Sequence, residues 1–234
     1  MSKPKDFSFA AFASEFDKHI TTSIRGYTDL KTDCVGFSPY FIQKDTTILD
    51  VGCSTGSLLR RVRSYNQKKY ASVRYVGIDV EPKFPKNWLR SEAENLEFRL
   101  TEVQKFNEFK NLSIVYSLFT LQFLPERDRL DVVKKIYDGL IEGGAFILAE
   151  KVHAKNAKFH DMLTFMYYDY KRRAFKPQEI LKKEKTIRDQ MRLWSEFKIF
   201  EMLRSAGFKS VNTQLFWRNH LFVGILAMKS VRYR

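Results

Sequence analysis

The chain has 234 residues, of which 44% are hydrophobic, 15% aromatic and 29% charged. That is enough apolar side chain to build a sizeable core and to offset the entropy of ordering, which excludes a disordered chain. The late apolar run Leu221–Met228 is of strand length and far short of the ~20 residues of a membrane span. The beginning, Met1-Ser-Lys-Pro-Lys-Asp6, has no apolar signal core. The two cysteines, Cys34 and Cys53, build neither a disulfide framework nor a zinc site. The expectation is a soluble cytoplasmic protein without a metal.

The net charge of +14 is unevenly spread: residues 1–150 carry 22 Lys+Arg against 20 Asp+Glu, and residues 151–234 carry 19 against 7. The basic C-terminal third points to an anionic partner, with nucleic acid the first candidate. An idle solvated face explains the same charge equally well.

In chain order, Phe7 to about Gly36 reads as helical, with Phe9, Phe12, Phe16 and Ile20 spaced by three and four. Thr46–Val51 reads as a strand and Ser57–Arg63 as the helix after it. Val73–Asp79 is a second strand, Leu96–Leu100 a weak third and Ser113–Leu118 a fourth. A helix follows from about Arg127 to Leu140, and Gly143-Gly144 turns into a fifth strand, Ala145–Ala149. Such alternation implies a parallel sheet covered on both faces. From about Ala154 to Ala206 the pattern is helical and basic, without a strand. The runs Ser210–Trp217 and Leu221–Lys229 are too close for a parallel crossover and predict an antiparallel hairpin. The fold class is therefore α/β, an open, mostly parallel, doubly wound sheet with a helical insertion and a terminal hairpin. One domain is expected, with a helical cover (1–45), a ligand-binding core (46–150), the basic insertion (151–206) and the hairpin (207–234).

The stretch Ile48-Leu-Asp-Val-Gly-Cys-Ser-Thr-Gly-Ser-Leu-Leu59 is a buried strand, a glycine turn and an amphipathic helix. In such folds ligands sit beyond the carboxyl ends of the strands, where strand order reverses. Gly52 and Gly56 allow a tight turn and close approach. Asp79 ends the second strand, 27 residues after Gly52, where a carboxylate can accept from both ribose hydroxyls of an adenosine group. The loop lacks the middle glycine of a dinucleotide fingerprint and the Gly-Lys-Ser/Thr of a P-loop. An adenosine ligand without phosphates, with Asp50 facing a cationic amino group, describes S-adenosylmethionine. Gly52-Cys-Ser-Thr-Gly56 also fits the G-x-S-x-G nucleophile elbow, but it follows the first strand, no oxyanion loop precedes it, and His153, His160 and His220 have no acidic partner by sequence.

The loop and the strand end Gly-Ile-Asp79 resemble the class I S-adenosylmethionine-dependent methyltransferases. A closer resemblance, to the carboxy-S-adenosylmethionine synthases of tRNA wobble-uridine modification, runs through most of the chain. It is carried by Phe16-Asp17, Arg25-Gly-Tyr-Thr28, Phe119-Thr-Leu-Gln-Phe-Leu124, Lys135–Leu140 with Gly143-Gly144, Ala149-Glu-Lys151, Asp169-Tyr-Lys-Arg172 and Ala206-Gly-Phe208. The resemblance implies that Asp50, Gly52, Ser54 and Gly56 line the methionine and ribose part of the cofactor and that Asp79 holds the ribose hydroxyls. It implies that Val80 packs on adenine, that Glu102 and the Val103 backbone read the adenine edge, and that Tyr27 covers the cofactor. It also implies a homodimer. There is one departure: where the family has a Lys-Arg pair, its arginine contacting the extra carboxylate of carboxy-S-adenosylmethionine, this chain has Lys183-Glu184. A glutamate there is expected to repel that carboxylate by about 1–3 kcal/mol, with Lys185 or Arg188 the nearest substitutes.

Between the fifth strand and the hairpin, cations interleave with aromatics. From Lys171 to Arg192 there are nine basic and three acidic residues, a pattern that suits a nucleic-acid backbone with stacked bases. A packed helix face with solvated lysines accounts for it as well. Tyr167, Lys171, Arg172, Lys185 and Arg188 are the substrate-side candidates. No catalytic residue is assigned, and Asp169, Tyr167 and His160 are the residues that could act as a base. The leading reading is an S-adenosylmethionine-dependent methyltransferase. The second is a carboxy-S-adenosylmethionine synthase, and the third a catalytically idle nucleic-acid-binding module.

Overall fold

The computed structural model describes residues 16–88, 93–188 and 190–231. Seven strands form one sheet: β1 (Thr47–Val51), β2 (Arg74–Asp79), β3 (Leu96–Leu100), β4 (Leu112–Leu118), β5 (Leu140–Lys151), β6 (Thr213–Asn219) and β7 (Phe222–Met228). Their order is β3-β2-β1-β4-β5-β7-β6. The first five are parallel, and β7 runs antiparallel to both β5 and β6. The chain builds outward from β1 to β3 and then returns to lay β4 on the other side of β1. The order therefore reverses between β1 and β4, and the crevice at their carboxyl ends is the natural ligand site.

The helices are α1 (Phe16–Ser23), α2 (Tyr27–Phe41), α3 (Ser57–Asn66), α4 (Pro85–Trp88), α5 (Glu126–Gly139), α6 (Ala157–Lys171), α7 (Pro177–Ile187) and α8 (Glu196–Ala206). Strand periodicity sorts the core onto two faces. Leu49, Val51, Val115 and Phe146 share one cluster with Val133 and Ile136 of α5 and Leu203 of α8. Ile48, Tyr75, Ile114, Tyr116 and Ile147 share the other with Leu30 and Cys34 of α2 and Leu59 and Val62 of α3. Full burial of each such side chain stabilises the fold by about 1.5–3 kcal/mol. Among the described residues no helix is long and apolar enough to cross a membrane.

Three expectations are revised. The single helical stretch from Phe7 is broken at Gly26, whose left-handed φ of 74° turns α1 back across the end of the sheet. Phe9 and Phe12 lie outside the described residues. The glycine pair 143–144 is not a turn before the fifth strand but lies within β5. Leu112 pairs with Leu140 and Ile114 with Ala145, so the extra residues of β5 bulge out, with Gly143 at φ 74°. The strand expected from Ser210 starts at Thr213, because Ser210–Asn212 form a 3-10 turn. The insertion is helical as expected, apart from one bridging pair, Val152 with Trp194.

Candidate functional site

A cavity of about 510 Å³ lies over the carboxyl ends of β1, β2 and β4, walled by α1, the start of α2, α6 and α7. Of the residues singled out by sequence, Tyr27, Asp50, Gly52, Ser54, Asp79, Val80, Glu102, Val103 and Tyr167 line it. Gly56 does not. It precedes α3 with a left-handed φ of 77°, and the Phe98 ring fills the space where its side chain would be. Lys171 is buried behind the wall, while Arg172, Lys185 and Arg188 are exposed and stand outside it. Asp169, paired outward with Arg172, and His160 are also off the wall, so Tyr167 is the one base candidate that reaches the cavity.

At the loop end, β1 delivers Asp50, 3% exposed, to the cavity floor. Burial, with help from the nearby Asp79, pushes its carboxyl up to about 7, and Lys31 works against this. Such a carboxylate gains from a cationic ligand group. Asp79 Oδ2 accepts from the Ser54 amide at 2.9 Å and its Oδ1 from the Glu81 amide at 2.9 Å. These bonds fix the carboxylate and leave each oxygen a further lone pair. The loop itself is braced from outside: the Trp88 indole donates to Ser54 O (2.8 Å), and Thr55 and Ser57 donate to the two oxygens of Asp17 on α1 (both 2.8 Å).

Gly52 needs its lack of a side chain twice over. Its φ is 77°, and a Cβ there would lie 2.1 Å from Thr120 Oγ1. Thr120 is itself fixed by donating to Val51 O at 3.0 Å. Gly52→Ala is therefore expected to cost about 2–4 kcal/mol, read by calorimetry as a melting temperature lower by roughly 5–15 °C. Adding Thr120→Ala should recover most of the part due to the clash, a Cβ contact of 2.9 Å remaining, and leave the part due to φ.

The string Phe119–Leu124 carries more of the site than the sequence reading gave it. Phe119, Thr120, Gln122, Phe123 and Leu124 all line the cavity, and Phe119 holds a positive φ of 60°, which a non-glycine residue keeps only when its surroundings impose it. The Gln122 side chain accepts from Lys151 N (2.8 Å) and Glu150 Oε1 accepts from Leu121 N (3.0 Å), locking this loop to the end of β5.

The opposite end is cationic. Lys151 at the end of β5, Lys171 at the end of α6 and Lys183 on α7 converge on Glu184. Glu184 lies 3.6 Å from Lys151 Nζ and 3.7 Å from Lys171 Nζ. Burial lowers the pKa of all three lysines, that of Lys183 to about 8. Lys183 contacts His19 Nε2. Burial and the adjacent lysines hold this imidazole down at about 4, so it is neutral and accepts from the ammonium. The Tyr167 ring lies 5.0 Å from both Lys151 and Lys171 Nζ. The expected repulsion by Glu184 is thus offset: among the described residues its charge is already matched by Lys151 and Lys171. No spacing in the sequence signals this cluster, because its members come from three separate elements.

Residues 49–146 match the methyltransferase-domain family. Along its length the chain is similar to the carboxy-S-adenosyl-L-methionine synthase of Staphylococcus epidermidis, 32% identical over 93% of both chains. It is similar to that of Hamiltonella defensa, 30% identical over 93% of this chain and 86% of the relative, and to that of Nautilia profundicola, 29% identical over 96% and 95%. Among solved structures it superposes on a chain of the complex between the Haloferax volcanii Trm112 methyltransferase activator and a methyltransferase, with a TM-score of 0.64 at 14% identity, covering 99% of this chain and 100% of that one. It superposes also on human N-acetylserotonin methyltransferase in complex with S-adenosylmethionine, with a TM-score of 0.56 at 15% identity, over 86% of this chain and 52% of that one. The structural likenesses establish the class I methyltransferase fold, and the glycine loop, the buried Asp50 and the fixed Asp79 suit S-adenosylmethionine. The chain belongs to the carboxy-S-adenosyl-L-methionine synthase family, and it is an S-adenosylmethionine-dependent transferase.

Proposed function

We propose that this transferase makes carboxy-S-adenosylmethionine, as its relatives' names describe, by holding two ligands in one cavity. The methionine and adenosine parts of S-adenosylmethionine lie at the Asp50–Asp79 end, with Gly52, Ser54, Val80, Glu102 and Val103 along them and Tyr27 over them. A small carboxylate-bearing co-substrate is drawn to the Lys151–Lys171–Lys183 end. The observation that carries this reading is the lysine cluster. Plain methyl transfer to a neutral acceptor has no use for the buried Lys151 and Lys171 sharing one carboxylate, and burying such charge is costly unless a ligand or partner compensates it. The methyltransferase reading shares the same cofactor end, and Glu184 itself favours it, because it already supplies one negative charge to the lysines. A role in tRNA wobble-uridine modification, a cytoplasmic location and a homodimer go with the proposal. The exposed Arg172, Lys185 and Arg188 lie on the outer surface, where nucleic acid rather than a small ligand is the fitting partner.

Mass spectrometry of small molecules released by denaturing the purified protein tests the proposal. A sulfonium heavier than S-adenosylmethionine by one carboxylate is the expected result. S-adenosylmethionine or its demethylated product alone, from protein that also methylates an added RNA, would move the assignment to the methyltransferase reading.

A further inference from the structure

Glu184 sits badly for a permanent structural ion pair. Its distances to Lys151 and Lys171, 3.6 and 3.7 Å, exceed the usual charge-assisted hydrogen bond of about 2.7–2.9 Å. Among the described residues its buried Oε1 has no partner within hydrogen-bond distance, Lys171 Nζ lying at 3.7 Å. Lys151 and Lys171 are themselves 8% and 2% exposed, carried on the ends of β5 and α6, each with its Nζ 5.0 Å from the centre of the Tyr167 ring. The lysines are a fixed seat with a loosely held occupant. The occupant is also tethered where it can leave. Glu184 is on α7 with Arg188 one turn on; Glu followed by Arg at that spacing is a favourable surface pair on a helix, and Arg188 is exposed. A side-chain rotation, without movement of the helix, would exchange the buried partners for the exposed one.

We propose that Glu184 is a tethered competitor: its carboxylate occupies the seat that Lys151 and Lys171 form for a ligand carboxylate, and an anionic ligand binds by displacing it. The inference deepens the two-ligand reading above and rests on it for the identity of the cavity. The resident glutamate keeps the two lysines compensated while the seat holds no ligand, and it sets a threshold: a neutral or weakly acidic molecule cannot displace it, whereas a carboxylate with hydrogen-bonding oxygens can. Glu184 is thus a specificity-determining residue.

Calorimetric titration of ligand-stripped protein with S-adenosylmethionine and with carboxy-S-adenosylmethionine, for wild type and Glu184→Gln, reads this out. The variant should bind carboxy-S-adenosylmethionine at least about tenfold more tightly than wild type, with S-adenosylmethionine affinity changed by less than about threefold. Equal affinity for the carboxylated ligand in the two proteins, a weaker one in the variant, or a parallel change for both ligands would overturn the proposal. Removal of the glutamate also leaves two buried ammonium groups and lowers stability, so a second measurement uses that loss. Malonate, against chloride at equal ionic strength, should raise the melting temperature of Glu184→Gln and of Glu184→Ala by several degrees more than that of wild type, because it refills the seat. Equal shifts in all three proteins would overturn it. A wild type that releases no carboxylated sulfonium while the variants gain carboxylate affinity would sink the synthase reading and leave the role of Glu184 standing.

Discussion

Asp50→Ala lowers the affinity for S-adenosylmethionine by about 30-fold or more, which is the lower end of the 2–5 kcal/mol that follows removal of one partner of a buried charge pair. The carboxylate is buried at the end of β1 on the cavity floor, where a cationic ligand group is its natural partner. The same geometry gives a pH dependence whose sign is fixed. Burial raises the Asp50 carboxyl to about 7, so it is neutral below that pH and charged above it. A cation needs the charged form, and affinity in the wild type should therefore rise about tenfold from pH 6 to pH 8. Asp50→Asn should be weak and flat over that range. Titration calorimetry at several pH values checks both points, and an unchanged wild-type affinity from pH 6 to 8 would remove Asp50 from the role of counter-ion.

Removal of Arg129 should have the largest effect on stability. Its guanidinium is 3% exposed and donates to Gln122 O (3.1 Å), Leu124 O (3.1 and 3.2 Å) and Arg192 O (2.7 Å). Its Cζ lies 4.7 Å from the centre of the Trp194 ring. One side chain on α5 thus joins the loop after β4 to the segment between α7 and α8. Both carry cavity-lining residues: Phe123 and Leu124 on the first, Gln190 and Met191 on the second. Arg129→Met leaves the carbonyls of Leu124 and Arg192 without this donor, and Gln122 O with only the Arg192 amide at 2.9 Å, at a cost of about 3–5 kcal/mol, or a melting temperature lower by roughly 6–20 °C. Ligand affinity should fall with it, since the wall loses its brace. Arg129→Lys should recover only a minor part, because an ammonium lacks the planar fork that reaches three carbonyls at once. A Met variant that melts like wild type would show that water or a neighbouring donor replaces the guanidinium.

Much of the fold and the loop end of the site were legible in the sequence. Strand alternation identified all seven strands, since a buried strand advertises itself in consecutive residues. The loop from Asp50 to Gly56 did so too, because a tight turn demands left-handed φ values that glycine tolerates. Gly56 illustrates the limit of that reasoning: the sequence shows that a side chain is unwanted there, but not whether a ligand or the Phe98 ring takes the space. The string Phe119–Leu124 was visible as a marker of kinship, while its place on the cavity wall depends on β4 lying next to β1.

The sequence by itself determined the sheet, the glycine loop after β1 and the family, all of which follow from residues that are neighbours in the chain and from local backbone demands. The tertiary structure alone decided which charges of the basic insertion are turned inward and which to solvent. A count of charges cannot separate Lys171 and Lys183, turned inward, from Arg172, Lys185 and Arg188, turned to solvent, because burial belongs to packing and not to composition. Nor can it show that Glu184, one residue in an excess of cations, stands between Lys151 from the sheet and Lys171 from the neighbouring helix. Charges at such distances act on one another strongly only when the fold has removed the water between them.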